Sequence, residues 1–312
     1  MSHTAEAAQP ARGRRLETRR RRRIDWLPYA LIAPIALLLI AITVYPTVYA
    51  VYLAMTDASL LRLARAQFIG LGNLVRMADD TVFLDGLWRT LRWDVAVVSL
   101  ELAIALPIAL FLNQTFRCRG IVRAAVMVPY ITPPAVVALL FCYMFDGNFG
   151  VINDLLVRVG VLDRYVAWLS DPTGSFWVVV SAMVWYGQPL MALILLAALQ
   201  TIPPELYEAA RVDGAGALSR FLHITLPQLA SVLFIVLLLR TIWMFTKFDT
   251  VWLMTQGGGA EKYIRTLPVY AYLRTFHYYE AGTGAAASVV MFLLLVVFAA
   301  VYFAIFRREE QL

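Results

Sequence analysis

The polar segment QTIPPELYEAARVDGAGALSRFLHITLPQ, residues 200–228, separates two long apolar stretches of the chain. Pro203 and Pro204 favour a helix start, because the first helical nitrogens need no hydrogen-bond partner. Glu205 and Glu208 then fall in the first turns, where the helix dipole favours carboxylates. The segment therefore begins with a helix rather than with a loop.

The same segment also carries the signal for the end of that helix. Gly214 permits the positive φ with which many helices end, and Gly216 loosens the following turn. We expect one helix over residues 204–212 and a second short helix from Ala217 towards Thr225. This pattern predicts a helical hairpin held between two apolar stretches.

The apolar stretches decide the fold class. The chain is 61% hydrophobic and 15% charged, against about 25% charged in soluble domains. A membrane-spanning helix needs roughly 20 apolar residues, and the first stretch is too long for the core of a signal peptide. The sequence predicts an all-α integral membrane protein with six transmembrane helices, at residues 27–53, 93–112, 122–145, 176–199, 230–253 and 285–306.

Basic residues predict the orientation of these helices. Eight arginines lie between Arg12 and Arg23, directly before the first apolar stretch, and account for the net charge of +6. By the positive-inside rule they hold the N-terminus in the cytoplasm, and an even number of helices returns the C-terminus to the same side. The chain would then consist of a cytoplasmic tail, residues 1–25, and a six-helix membrane domain, residues 26–312.

This orientation places the hairpin at residues 200–228 in the cytoplasm. A helix-turn-helix can bind DNA, but a short acidic hairpin tethered to the membrane at both ends cannot easily enter a groove. The hairpin is better interpreted as a docking surface for a soluble protein, and no nucleic acid is expected as a partner.

The sequence lacks the motifs of catalysis and of metal binding. It has no Gly-x-x-x-x-Gly-Lys-Ser/Thr phosphate loop, and Gly257, Gly258 and Gly259 follow an apolar stretch and lack the lysine. Its three histidines and two cysteines are scattered. We therefore expect no catalytic residue, no metal and no cofactor in this chain.

The hairpin also carries a resemblance to a known family. Glu208-Ala209-Ala210-Arg211-Val212-Asp213-Gly214-Ala215, followed by Ile224, Leu226 and Pro227, resembles the EAA loop of ATP-binding-cassette importer permeases. Further stretches are similar to the first of the two permeases in carbohydrate importers, the class of the larger maltose-importer permease: Tyr45-Pro46, residues 68–73, Pro129-Tyr130, residues 168–172 and residues 247–259. Gly259 departs from this class, which often has Pro there, and the extra N-terminal helices of the maltose permease are absent.

The resemblance implies a mechanism shared among several chains. The fold would be the transmembrane domain of a type I importer in a bacterial inner membrane. Its partners would be a second homologous permease, two ATPase subunits that bind ATP and Mg, an extracytoplasmic solute-binding protein and membrane lipid. The hairpin would be the coupling helix seated in the ATPase, with Glu208, Ala209, Ala210, Asp213 and Gly214 as its coupling residues.

Two cationic residues in the fifth apolar stretch suggest where a substrate passes. Arg240 and Lys247 are seven residues apart, so a helix would place them on one face with Trp243 and Met244 between them. A charge inside a membrane helix costs roughly 2.5–3.5 kcal/mol, so both need a polar setting. An aromatic ring between hydrogen-bond donors suits a sugar, and the resemblance implies substrate contacts at all four positions.

The fourth helix adds a second group, Tyr186, Gly187 and Gln188, directly before Pro189. We expect Pro189 to break this helix near the middle of the membrane and to expose backbone groups, although helix packing at a kink is the simpler alternative. Three positions are open for Glu101: paired with Arg240 or Lys247, facing lipid, or facing another subunit. Asp249 is a near-neighbour candidate to offset the charge of Lys247.

Three functions remain open on the sequence. The leading hypothesis is an importer permease for a di- or oligosaccharide, with glycerol phosphate or another polyol derivative as the alternative cargo. An ion-coupled secondary transporter would also explain Glu101, Arg240 and Lys247, but it would transport without ATP. A membrane enzyme would need a catalytic constellation that the sequence does not contain.

Overall fold

The computed structural model of the protein describes residues 27–255 and 265–309, and this part is predominantly helical. It contains no named strand, and one isolated bridge pairs Thr56 with Phe68. The arginine-rich tail and Gly257–Gly259 lie outside the described residues. The helices are α1 (Leu27–Leu39), α2 (Tyr45–Ala54), α3 (Gly72–Ala78), α4 (Thr81–Asn113), α5 (Arg119–Ile131), α6 (Pro134–Met144), α7 (Val151–Arg158), α8 (Pro172–Leu199), α9 (Pro204–Val212), α10 (Ala217–Arg220), α11 (Leu226–Phe245), α12 (Asp249–Thr255), α13 (Leu267–Tyr272) and α14 (Ala281–Glu309).

The expected all-α membrane architecture is confirmed. Five helical segments are long and apolar enough to cross a bilayer, and a bent pair of helices makes a sixth if it counts as one span. The five segments are Tyr29–Ala54, Thr81–Asn113, Pro172–Leu199, Ala217–Phe245 and Ala281–Phe306.

The chain divides into two compact units between Thr47 and Val48. In the described part of the first unit, α1 is followed by a π-helical turn, Ile40–Val44, and by the first residues of α2. Its large apolar side chains are exposed, as expected for a helix surrounded by lipid. The second unit contains the rest of the helices and the sites described below.

The third apolar stretch departs from the straight helix that its length suggests. It forms α5 and α6, which meet at 90°. Thr132 is extended, with ψ 129°, and Pro133 follows with ψ 138°. A residue before proline is disfavoured in the helical region, and proline cannot donate the next helical hydrogen bond, so the sequence Thr-Pro-Pro ends the helix here.

The fifth apolar stretch also differs from its prediction. The helix that begins at Ala217 does not stop near Thr225 but continues through a π-helical turn into α11, so the second hairpin helix and the span are one helix. That helix ends at Phe245, and the chain resumes as α12 at Asp249. Lys247 therefore lies in a break and not on the helical face of Arg240.

Pro189 does not break α8, contrary to the prediction. The helix runs from Pro172 to Leu199 with Pro189 buried inside it. A proline removes one backbone hydrogen bond, and packing of neighbouring helices compensates for that loss in membrane proteins. The helix is therefore continuous where a break was expected.

Close packing of α4 against α8 forms the centre of the second unit. Ala105 and Ala109 on α4 and Ala192 on α8 are buried in one core cluster with Leu195 and Leu229. Small residues allow membrane helices to approach closely, which is the main source of association where lipid removes the hydrophobic driving force. Higher on α4, the buried Trp93 indole donates a hydrogen bond of 3.3 Å to the Met244 carbonyl. These contacts hold α4, α8 and α11 in a fixed arrangement.

A polar cluster joins the start of α4 to the segment after α13. Arg274 pairs with Asp80 at 2.6 Å and with Glu280 at 3.1 Å, and the Tyr270 hydroxyl donates to Asp80 at 2.8 Å. Burial raises the pKa of Asp80, but the hydrogen bonds from Tyr270 and Val82 and the charge of Arg274 outweigh it and hold this pKa below its ordinary value. Asp80 also caps α4. This cluster stays outside the membrane-spanning segments.

Candidate functional site

The membrane-embedded site is built on a buried ion pair between α4 and α11. Arg240 Nε donates to Glu101 Oε2 at 2.7 Å, and Arg240 Nη2 bonds to the other carboxylate oxygen. The two side chains are 4% and 0% exposed. A bidentate pair of this kind satisfies both charges where no water can do so. Of the alternatives open on the sequence, Glu101 therefore pairs with Arg240.

Gly187 on α8 packs directly against this ion pair. A Cβ atom added at Gly187 would overlap the Glu101 carboxylate and the Arg240 guanidinium. Only glycine leaves room for the pair at this point of the α8 surface. Gly187 was predicted as pathway lining, and the structure places it against the ion pair.

We expect Gly187→Ala to destabilise the folded chain by roughly 1–3 kcal/mol, because the added methyl group forces the ion pair or α8 to move. The matched control is Gly120→Ala, also inside a helix, where the added Cβ meets no atom within 4 Å. Denaturation of each purified variant by SDS in mixed micelles measures its free energy of unfolding. Equal stability of the two variants would contradict the tight fit at Gly187.

An open cavity of about 440 Å³ lies beside the ion pair. Five of the predicted pathway residues line this cavity: Tyr186, Arg240, Trp243, Met244 and Lys247. The other lining residues are Tyr130, Thr246, Phe248 and Asp249. Four aromatic rings and several hydrogen-bonding groups thus surround a space of the size typical for small ligands.

The aromatic rings are arranged around the cationic groups. The ring centroids of Tyr130 and Tyr186 are 5.6 Å apart, and Lys247 Nζ lies 5.7 Å from the Tyr186 centroid. Arg240 Cζ lies 5.9 Å from the Trp243 ring. Such rings offer apolar faces for stacking, while the neighbouring donors serve polar groups at the edge of a ligand.

Lys247 reaches the cavity from the break between α11 and α12. Its ammonium pairs with Asp249 at 2.9 Å, as the sequence suggested. The break brings Lys247 to the same cavity as Arg240 although the two residues do not share a helical face. Each cationic side chain of the cavity therefore has a carboxylate partner.

Two residues near this cavity differ from their predicted roles. Gln188 was predicted to line the pathway, but it is half-buried away from the cavity, and its Oε1 accepts no hydrogen bond from the described residues. Tyr130 was noted only for its family resemblance, yet its ring faces Tyr186. The Thr132-Pro133 break, which directs α5 at this point, was a signal in the sequence that could have indicated Tyr130.

The hairpin between α8 and α11 has the predicted first helix and turn. Helix α9 covers Pro204–Val212, and Gly214 has φ +77°. Ala215 N donates to the Ala210 carbonyl at 2.8 Å, and Gly214 N donates to Arg211 at 3.0 Å. These two bonds form a Schellman motif, in which glycine supplies the left-handed residue.

Side chains on both arms of the hairpin hold it in place and leave its tip exposed. The Tyr207 hydroxyl lies 3.0 Å from Thr225 Oγ1, and Arg220 donates to the Ala215 carbonyl at 2.9 Å. Glu208, Ala209, Asp213 and Gly214 are exposed and Ala210 is half-buried. The apolar side chain of Val212 is 88% exposed. The hairpin is therefore held by its own contacts and exposes both charged and apolar side chains.

Within residues 27–255 and 265–309, no group of three or more His, Cys, Asp or Glu side chains could hold a metal ion. The chemistry of the described sites is that of ion pairing, stacking and hydrogen bonding.

Comparison with known proteins identifies the family. A family model described as "Binding-protein-dependent transport system inner membrane component" matches residues 102–311. The chain is 37% identical over 284 residues to a sulfoquinovosyl glycerol transport system permease protein, SmoG, of Agrobacterium fabrum, covering 91% of each chain. It is 34% identical over 290 residues to a trehalose/maltose transport system permease protein, MalF, of Thermococcus litoralis, covering 91% of this chain and 95% of that one.

A solved structure shows the same fold. A bacterial ABC transporter involved in import of the acidic polysaccharide alginate has a chain that matches with a TM-score of 0.79 at 22% identity, covering 91% of this chain and 96% of that chain. The likeness extends along nearly all of both chains and shows the fold. The chain belongs to the family of binding-protein-dependent transport system inner membrane components, the non-catalytic, multi-pass permease subunits of ABC importers.

Proposed function

We propose that this permease carries a neutral di- or oligosaccharide through the cavity between Tyr130, Tyr186 and Trp243. The observation that carries the proposal is the internal pairing of both cationic side chains at that cavity, Arg240 with Glu101 and Lys247 with Asp249. Aromatic faces next to compensated charges suit the apolar faces and hydroxyl edges of a sugar.

The balance of charge argues against an anionic cargo as the first choice. A sulfonate, phosphate or uronate would need a cationic group without a fixed partner, because leaving a charge unpaired in the membrane is costly. The two relatives are named for sulfoquinovosyl glycerol and for trehalose and maltose, so the names alone support either kind of cargo. The alternative cargo, glycerol phosphate or another polyol derivative, would have to displace Asp249 from Lys247.

The rest of the importer consists of other chains in this proposal. A second homologous permease completes the pathway, two ATPase subunits bind ATP and Mg, and an extracytoplasmic binding protein delivers the sugar. The hairpin at residues 200–228 couples to the ATPase through Glu208, Ala209, Ala210, Asp213 and Gly214. Both termini are cytoplasmic, in keeping with the arginine-rich tail.

Purification from the native host followed by reconstitution tests this function. The tagged chain is solubilised gently, and the proteins that copurify are identified by mass spectrometry. A second permease and an ATPase are expected. Proteoliposomes containing that complex and the binding protein should transport labelled maltose or trehalose only when ATP is present on the side of the membrane that carries the ATPase. Uptake of glycerol phosphate instead would establish the alternative cargo, and uptake without ATP would establish a secondary transporter.

Trp243→Ala is expected to lower the initial rate of ATP-dependent sugar uptake by up to about tenfold, because it removes one stacking face worth about 0.5–1.5 kcal/mol. The matched control is Trp177→Ala on α8, a half-exposed tryptophan outside the cavity. It should leave the rate unchanged. A loss of uptake that is equal in both variants would contradict a sugar contact at Trp243.

A further inference from the structure

The end of α11 and the break that follows it supply part of the wall of the cavity proposed above for the sugar, here called the sugar cavity. Met244 lies in the last turn of α11, and Thr246, Lys247 and Phe248 lie in the break before α12. All of these residues line the sugar cavity. Because the break is not part of a regular helix, its conformation depends on the few hydrogen bonds that its backbone makes.

The Met244 carbonyl is the point at which this break is tied to α4. The last carbonyls of a helix have no N–H group of the next turn to accept from. The Met244 carbonyl accepts instead from the Lys247 backbone N–H at 3.1 Å and from the Trp93 indole N–H at 3.3 Å. One oxygen atom thus joins the turn that carries Lys247 to a side chain of α4.

Trp93 is well suited to hold this turn, because it is itself fixed by packing. Its side chain is 0% exposed and belongs to the core cluster that contains Val184 of α8, Met244 of α11 and Val251 of α12. Buried indole N–H groups usually find an acceptor, and here the acceptor is the end of a helix. Trp93 is not among the residues that line the sugar cavity, so it acts on a ligand there only through the turn.

We propose that Trp93 is a positioning residue for the sugar cavity: its indole N–H fixes the turn after α11 and thereby places Thr246, Lys247 and Phe248 along the cavity wall. The inference rests on the proposed function only for the identity of the ligand. Without the indole bond the Met244 carbonyl keeps one donor, and the turn gains further conformations. A smaller fraction of molecules then presents the wall that binds the sugar, so apparent affinity falls although no side chain of the wall has changed.

Trp93→3-benzothienylalanine tests the hydrogen bond alone, because this analogue has sulfur in place of the indole N–H and keeps the ring shape. The matched control is the same replacement at Trp168, whose Nε1 donates to Asn153 Oδ1 at 2.8 Å outside the sugar cavity. ATP-dependent uptake of labelled maltose or trehalose should fall about two- to tenfold in the first variant, the effect of one hydrogen bond, and stay unchanged in the control. Trp93→Phe removes the same N–H with a smaller ring and is a second variant for each measurement.

A nitroxide label in the break reports the turn without any sugar. It is attached at Thr246→Cys in a chain that also carries Cys118→Ser and Cys142→Ala, so that no native cysteine reacts. A label at Val212→Cys, on the exposed hairpin, is the reference. Trp93→3-benzothienylalanine should increase the mobility of the label at residue 246 in the electron paramagnetic resonance spectrum and leave the reference unchanged.

The two measurements together separate this proposal from the choice of cargo. Unchanged mobility at residue 246 would overturn the positioning role, whether or not uptake falls, because Trp93 would then not act through the turn. Increased mobility with normal uptake of the labelled sugar would overturn it as well, since the turn would not position the sugar's contacts. Increased mobility in a transporter that takes up neither sugar even when unaltered would support the positioning of the turn and reject a saccharide as the cargo.

Discussion

Arg240→Met is expected to destabilise the folded chain by about 3–5 kcal/mol, because it leaves the Glu101 carboxylate buried without a counter-charge. Glu101 is 0% exposed and receives two hydrogen bonds from Arg240 in the intact chain. Methionine fills most of the arginine volume but donates nothing. SDS unfolding of the purified chain in mixed micelles, followed by circular dichroism, gives the change in stability.

A double variant distinguishes loss of pairing from loss of packing. Glu101→Leu with Arg240→Met removes both charges, and replacing a buried pair by apolar groups is often close to neutral, so most of the stability should return. Arg158→Met is the surface control, since its 2.9 Å pair with Asp154 is 74% and 38% exposed and such pairs contribute about 0–1 kcal/mol. A double variant as unstable as Arg240→Met would contradict the pairing energy and point to packing alone.

The parts of the structure that the sequence predicted well are those governed by neighbouring residues. Helix α9 begins at Pro204 and ends before Gly214, as expected, because helix starts and left-handed glycines depend on a few adjacent positions. The pairing of Lys247 with Asp249 is of the same kind. Membrane residence also followed directly, since it depends on composition over about 20 residues.

The parts that differed depend on direction and on distant contacts. An apolar stretch indicates that a segment lies in lipid, but not whether it stays straight, so the 90° bend after Ile131 and the end of α11 at Phe245 were not evident. The pairing of Glu101 with Arg240 joins residues 139 apart in sequence. Spacing along the sequence could not show whether Glu101 pairs with Arg240 or with Lys247, because that depends on how α4 packs against α11.

Glu208→Lys is expected to reduce ATP-dependent uptake more than tenfold while leaving the chain inserted in the membrane. Glu208 is exposed on α9, and the hairpin around it is fixed by its own contacts, so the substitution changes a surface charge and not the fold. If a basic ATPase side chain pairs with Glu208, lysine places two positive charges together, which costs several kcal/mol at an interface. Uptake and ATP hydrolysis are measured in the same proteoliposomes, and hydrolysis should persist as uptake disappears.

Glu205→Lys is the matched control for this coupling prediction. Glu205 is also exposed and lies one turn earlier on α9, so the variant repeats the charge change and its effect on the helix dipole. Only a specific partner at Glu208 would make the two variants differ. Normal uptake with Glu208→Lys would remove the coupling role, and equal loss in both would assign the effect to the charge of the hairpin as a whole. If only Glu208→Lys loses uptake, reversing the charge of its basic partner on the ATPase should restore it. Such recovery would identify the contact that couples the ATPase to this hairpin.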